Sequence, residues 1–114
     1  MRLPLPLHHA PVTFDDYQLG AARTLNPSLD ERSRLIDAAA GLAEESGEVL
    51  AHVRKHLYQA RELHRERIAD ELGDTLWCVS AVATSCGLSL GDVARGNLAK
   101  LERRHPDRFA SPGA

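Results

Sequence analysis

Aromatic residues are scarce in this chain: two Phe, two Tyr and one Trp make up 4% of 114 residues. That argues against a surface for single-stranded nucleic acid, where bases stack on successive aromatic side chains. A surplus of charge is missing too. The formal net charge is −2, whereas nonspecific duplex binding needs a basic footprint. No apolar run approaches the roughly 18 residues that mark a membrane span. Cysteine is limited to Cys78 and Cys86. Lying in one helical pattern, they would sit roughly 12 Å apart along its axis, too far for a disulfide. Both are expected to be buried free thiols, which suits a reducing cytosol. Residues 1–12 carry one basic side chain, Arg2, and three prolines, so they read as an extended arm and not as a signal peptide. These shortages together predict a soluble, cytoplasmic protein that binds neither a nucleic-acid duplex nor a membrane.

What remains is helix-forming sequence. The length is that of one domain, and 43% hydrophobic with 26% charged residues is ordinary globular usage. Thr13 followed by Phe14-Asp15-Asp16 reads as a helix start, with the helix running to about Leu25 and stopped by Asn26-Pro27-Ser28. Asp30 can cap a longer second helix, with apolar residues at Leu35, Ile36, Ala39, Leu42, Val49, Val53 and Leu57. Its end is poorly marked, because neither Gly nor Pro occurs between Tyr58 and Leu63. A third helix is predicted from about Arg65 to Ser85, with Ile68, Leu72, Val79, Val82 and Ala83 on its apolar side and Gly87 just past its end. Ser89 and Asp92 start a fourth that runs to His105-Pro106. The expectation is an all-α, four-helix bundle-like domain over residues 13–109 with a loose tail at 110–114.

Two short acidic patterns stand out. Glu44-Glu45-Ser46-Gly47-Glu48 and Glu71-Leu72-Gly73-Asp74 each place two acids three residues apart, on one face of a helix. At about 100° per residue, Leu42 and Val49 lie roughly 40–60° to one side of Glu45, and Glu48 and Glu44 lie on the other. The acids therefore border the apolar stripe. Bringing Glu45, Glu48, Glu71 and Asp74 together at a core edge demands a cation, and an all-carboxylate set favours Mg²⁺, with Mn²⁺ acceptable, over zinc. Each pattern also tolerates a helix-interior glycine, at a cost of about 1 kcal/mol relative to alanine. With Ala40, Ala43 and Ala51, or with Ala69 and Ser80, these glycines form small-residue sides suited to close backbone approach. So many interacting faces point to a homodimer or a dimer of dimers. His52 and His56, spaced i and i+4, have no third ligand at metal spacing and are read as ordinary surface residues.

At these residues the chain resembles the MazG-like, all-α nucleoside triphosphate pyrophosphohydrolases, whose motif is Glu-Glu-x-x-Glu followed after a gap by Glu-x-x-Asp. The likeness extends through Tyr17-Gln18, Gly41-Leu42, Lys55, Leu76-Trp77 and Asn97-Leu98-Ala99-Lys100-Leu101 to Arg104. It implies hydrolysis of a (d)NTP to the (d)NMP and pyrophosphate, in nucleotide-pool house-cleaning or turnover. By that analogy Glu45, Glu48, Glu71 and Asp74 hold Mg²⁺, and Glu44 positions or deprotonates the attacking water. Lys55, Asn97, Lys100 and Arg104 would meet the phosphates, and Gln18 and Trp77 the base or sugar. Related enzymes of this fold act on dUTP or on phosphoribosyl-ATP, and the metal motif does not separate these substrates. The competing expectations are a noncatalytic helical interaction module and a divalent-metal binder without hydrolysis.

Overall fold

Local capping explains most of the helix boundaries. In the computed structural model, which describes residues 11–110, Thr13 Oγ1 accepts the Asp16 N–H at 3.0 Å and opens α1, Phe14–Ala22. Three short turn bonds follow, from Arg23, Thr24 and Leu25 back to Gly20, Ala21 and Ala22. These end the helix before the expected Leu25. Asp30 accepts the Ser33 N–H at 2.7 Å and opens α2, Glu31–Tyr58. The weakly marked end of α2 is followed, past the cap residue Gln59, by Ala60, which takes a left-handed φ of 52°. His56 Nδ1 lies 2.8 Å from the Arg61 carbonyl and ties that turn down.

Helix α3, Arg65–Ser85, ends as the sequence predicts. Gly87 adopts φ 69°, its N–H bonds to Thr84, and the Leu88 N–H reaches back to Ala83 at 2.8 Å. These are the two bonds of a Schellman cap, and the left-handed residue is a glycine as that cap prefers. Ser89 caps α4, Leu90–Arg104. A short fifth helix, α5, Pro106–Phe109, goes beyond the four expected. Proline ends α4 but is also well suited to the first position of a new helix, so Pro106 does both.

The domain is all-α, and no strand occurs among the described residues. Helix α2 packs on α3 alone, whereas α1 packs on both α3 and α4, the latter two bent by 104° to each other. The joint at that bend is made by two side chains of α1. Asp15 accepts from the Ser89 hydroxyl at 2.8 Å and the Gly91 N–H at 3.0 Å. These bonds hold its carboxyl below the usual range. A Cβ at Gly91 would come within 2.8 Å of that carboxylate, so the close approach requires glycine. Gln18 accepts the Leu90 N–H at 2.7 Å and donates to the Leu88 carbonyl and to Thr84 Oγ1.

Among the described residues the buried set is small: Ala38, Cys78, Ala81, Ala83 and Leu90, with Ser80 and Gly91. Several residues of the expected stripes face outward instead, among them Leu35, Ile36, Leu57 and Leu72. Cys78 is buried as expected, but Cys86 is exposed. The chain exposes 9127 Å², against about 6,200 Å² for a compact monomer of this mass. Its radius of gyration is 17.3 Å, against roughly 13 Å for a compact domain of about 100 residues. The glycine sides also differ from expectation. A Cβ at Gly47 or Gly73 would meet nothing within 4 Å, whereas one at Gly41 would press on Cys78 Sγ at 3.1 Å. Close approach of α2 and α3 therefore uses Gly41. No single helix among the described residues is long and apolar enough to cross a bilayer. Residues 1–10 of the expected arm and 111–114 of the expected tail lie outside the described residues.

Ala60 supplies a direct test of this description. A left-handed conformation costs a non-glycine residue roughly 1–2 kcal/mol, so Ala60→Gly is expected to stabilise the protein by about 1 kcal/mol in urea unfolding. No gain would mean that α2 ends in another conformation.

Candidate functional site

The pairing of α2 with α3 brings acids from both helices to one point. Glu45, Glu71 and Asp74 each offer an oxygen, and the three oxygens lie within 4.8 Å of one another. Glu45 and Glu71 are partly buried and Asp74 is exposed. The electrostatic consequence falls on Glu45. Its carboxyl is pushed up to about 7, first by a hydrogen bond shared with Glu71, then by desolvation and by the negative charges of Glu71, Asp74 and Glu44. A carboxylate pair this close retains a proton when no cation is supplied. This donor set suits a hard divalent cation: all oxygen, with charge that resists being brought together.

Beside the trio lies an open cleft of about 400 Å³, lined by Asp37, Ala40, Gly41, Glu44, Glu45, Asp74, Trp77 and Cys78. Glu44 thus stands in the cleft wall, next to the trio. Trp77 forms another part of the wall and donates its indole N–H to Thr24 Oγ1 at 2.7 Å. At the floor, burial raises the Cys78 thiol above its ordinary range, and the charges of Glu45 and Asp74 add to that shift.

Other residues singled out from the sequence are placed elsewhere. Glu48 is exposed and outside the trio. Gln18 has its amide committed to the joint between α1 and α4. Lys55 is exposed near the end of α2, and Asn97, Lys100 and Arg104 are exposed on α4, a helix that does not contact α2. No lysine or arginine lines the cleft. Two residues were missed. Asp37 lines the cleft, two turns before Glu44 on α2. His52 places Nε2 3.8 Å from Glu71 Oε1, with both side chains about four-fifths buried (22% and 20% exposed). The signal for His52 was its position seven residues after Glu45, on the same face of the helix.

The match to known proteins is consistent with this geometry. The MazG nucleotide pyrophosphohydrolase domain model matches residues 35–109, spanning most of α2, all of α3 and α4, and α5. The chain is also similar to the gene 37 protein of Mycobacterium phage L5, 32% identical over 98 residues, covering 79% of this chain and 86% of that protein. No solved structure matches. This is a helical nucleotide pyrophosphohydrolase-type domain, and the chain belongs to the MazG family.

The Glu45 shift sets a pH window. The folded pKa of about 7 lies above the ordinary 4.5, so between these values the native state binds more protons than the unfolded one. In that window stability falls as pH rises. In EDTA the thermal midpoint is expected to carry this descending component up to about pH 7, and Glu45→Gln is expected to remove it. An unchanged profile in the mutant would show that Glu45 and Glu71 do not share a proton.

Proposed function

We propose that this protein is a Mg²⁺-dependent pyrophosphohydrolase of nucleoside triphosphates, releasing the monophosphate and pyrophosphate. The observation that carries the reading is the convergence of Glu45, Glu71 and Asp74 from two helices beside a cleft of about 400 Å³, in a chain of the MazG family. Glu45, Glu71 and Asp74 would hold the cation, with Glu48, one turn beyond Glu45, turning inward as a fourth carboxylate. The cation supplies charge neutralisation for the triphosphate and a more acidic bound water. Glu44, on the cleft wall, takes the proton of the attacking water. The water oxygen forms a bond to the α-phosphorus as the bond from that phosphorus to the bridging oxygen breaks, and pyrophosphate departs. Trp77 contacts the base or sugar.

The departing pyrophosphate needs positive groups. Lys55, Lys100 and Arg104 are the cationic candidates, with Asn97 as a neutral hydrogen-bond donor beside them, and a second copy would bring the α4 stripe to the cleft. The same arrangement would cover the exposed Leu35, Ile36, Leu50 and Leu57 of α2. Light scattering is expected to give at least twice the 12.5 kDa chain mass. A monomer at micromolar concentration would remove the second copy from the mechanism.

Pyrophosphate release from ribo- and deoxyribonucleoside triphosphates, dUTP included, is expected with Mg²⁺ or Mn²⁺ and absent with EDTA. Glu71→Gln is expected to lower it by at least about a hundredfold, the order of loss when a preorganised electrostatic contact is removed. Metal-induced thermal stabilisation without release from any nucleotide would favour a metal-binding module and defeat the hydrolase reading.

A further inference from the structure

We infer that Thr24, two residues past the end of α1, is the positioning residue that sets the plane of the Trp77 ring, the side chain already proposed to meet the base. This rests on the nucleotide reading above and assigns the two ends of the cleft. Helices α2 and α3 run antiparallel, so leaving the acids toward Asp37 on one helix means moving toward Trp77 on the other. Asp37 lies eight residues before Glu45, about 12 Å along the axis. Trp77 lies one turn beyond Asp74. The acids therefore form the phosphate end, and the end lined by Trp77 and Asp37 receives the heteroaromatic base.

The ring is not free to choose its tilt. Its one polar atom donates to Thr24 Oγ1 at 2.7 Å, and the Thr24 hydroxyl donates onward to the Ala21 carbonyl, also at 2.7 Å. The hydroxyl proton is thereby committed to Ala21, which leaves the Thr24 oxygen to accept from the indole. Away from the cleft, the indole lines a crevice too narrow for a water molecule, together with Ala21, Ala22, Leu25, Ser80, Ala81 and Thr84. These neighbours back the ring, and the Thr24 bond fixes the direction of its N–H edge. Thr24 is itself exposed, so its role can be tested without disturbing a core.

Trp77 is the single tryptophan of the chain, so its emission reports on this site alone. The test titrates the full-length protein, in Mg²⁺, with a nucleoside α,β-imido triphosphate and separately with inorganic tripolyphosphate, following emission and heat together. The nucleotide is expected to quench Trp77, and tripolyphosphate to bind without quenching. Thr24→Val is expected to keep its thermal midpoint and its tripolyphosphate affinity while weakening the nucleotide roughly tenfold, the scale of one stacked base. With a hydrolysable substrate that loss should appear in KM and not in kcat. Thr24→Ser should restore both the quench and the affinity. Unchanged nucleotide affinity in Thr24→Val, or equal loss for nucleotide and tripolyphosphate, would overturn the inference. Pyrophosphate release by a protein whose emission ignores nucleotides would overturn it while leaving the hydrolase reading intact. Quenching without release would do the reverse.

Discussion

The rest of the site depends on a repulsion. Three carboxylate oxygens drawn from two helices stand within 4.8 Å of one another, and one of those carboxyls is pushed up to about 7 as a result. A helix pair optimised for stability alone would place alanine or leucine there, because like charges at a core edge are unfavourable. The pairing of α2 and α3 holds them together anyway. The buried apolar set among the described residues is small, Ala38, Cys78, Ala81, Ala83 and Leu90, and Gly41 is the position at which α2 and α3 close on Cys78. Small residues bring the backbones near enough for short acidic side chains to meet across the seam. The site is thus made by the same close approach that limits the core.

Much of this was legible in the sequence because it is local or periodic. The acids recur at helical spacing next to Leu42, Val49 and Ile68, and spacing alone puts them on the inner edge of their helices. The caps at Thr13, Asp30, Ser89 and Gly87 are short-range chemistry, and all four appear. The end of α2 was obscure because the left-handed residue there is alanine, which carries no signal for that conformation. The short α5 was hidden by Pro106, which is equally suited to ending one helix and beginning another.

What periodicity does not show is which partner a polar side chain finds. Gln18 sits near the start of the chain and bonds residues 66 to 72 positions away. Trp77 reaches back 53 positions to Thr24. No spacing rule links such pairs. The small-residue sides misled for a related reason. A glycine in a helix leaves room for a close approach, but does not say whether a neighbouring helix, a ligand or another chain makes it. For Gly47 and Gly73 the chain itself supplies no neighbour.

That unfilled space and the exposed apolar face of α2 bear on the chemistry, because the cleft is one-sided in charge. Its lining includes Asp37, Glu44, Glu45 and Asp74, and no basic side chain. On the proposed function, a triphosphate would bring further negative charge to this wall, which a single chain would repel. One divalent ion offsets only part of that repulsion. The cationic residues stand away from the cleft: Lys100 and Arg104 are on α4, which never meets α2, and Lys55 is in the last turn of α2, outside the cleft lining. Surface area leads to the same place as charge. A helix of 28 residues that packs on one neighbour leaves Ile36, Leu50 and Leu57 in water, and a second copy laid on that face would bury them. Within this reading, burial of apolar surface provides the driving force for assembly, and delivery of positive charge to the phosphate end is what assembly accomplishes.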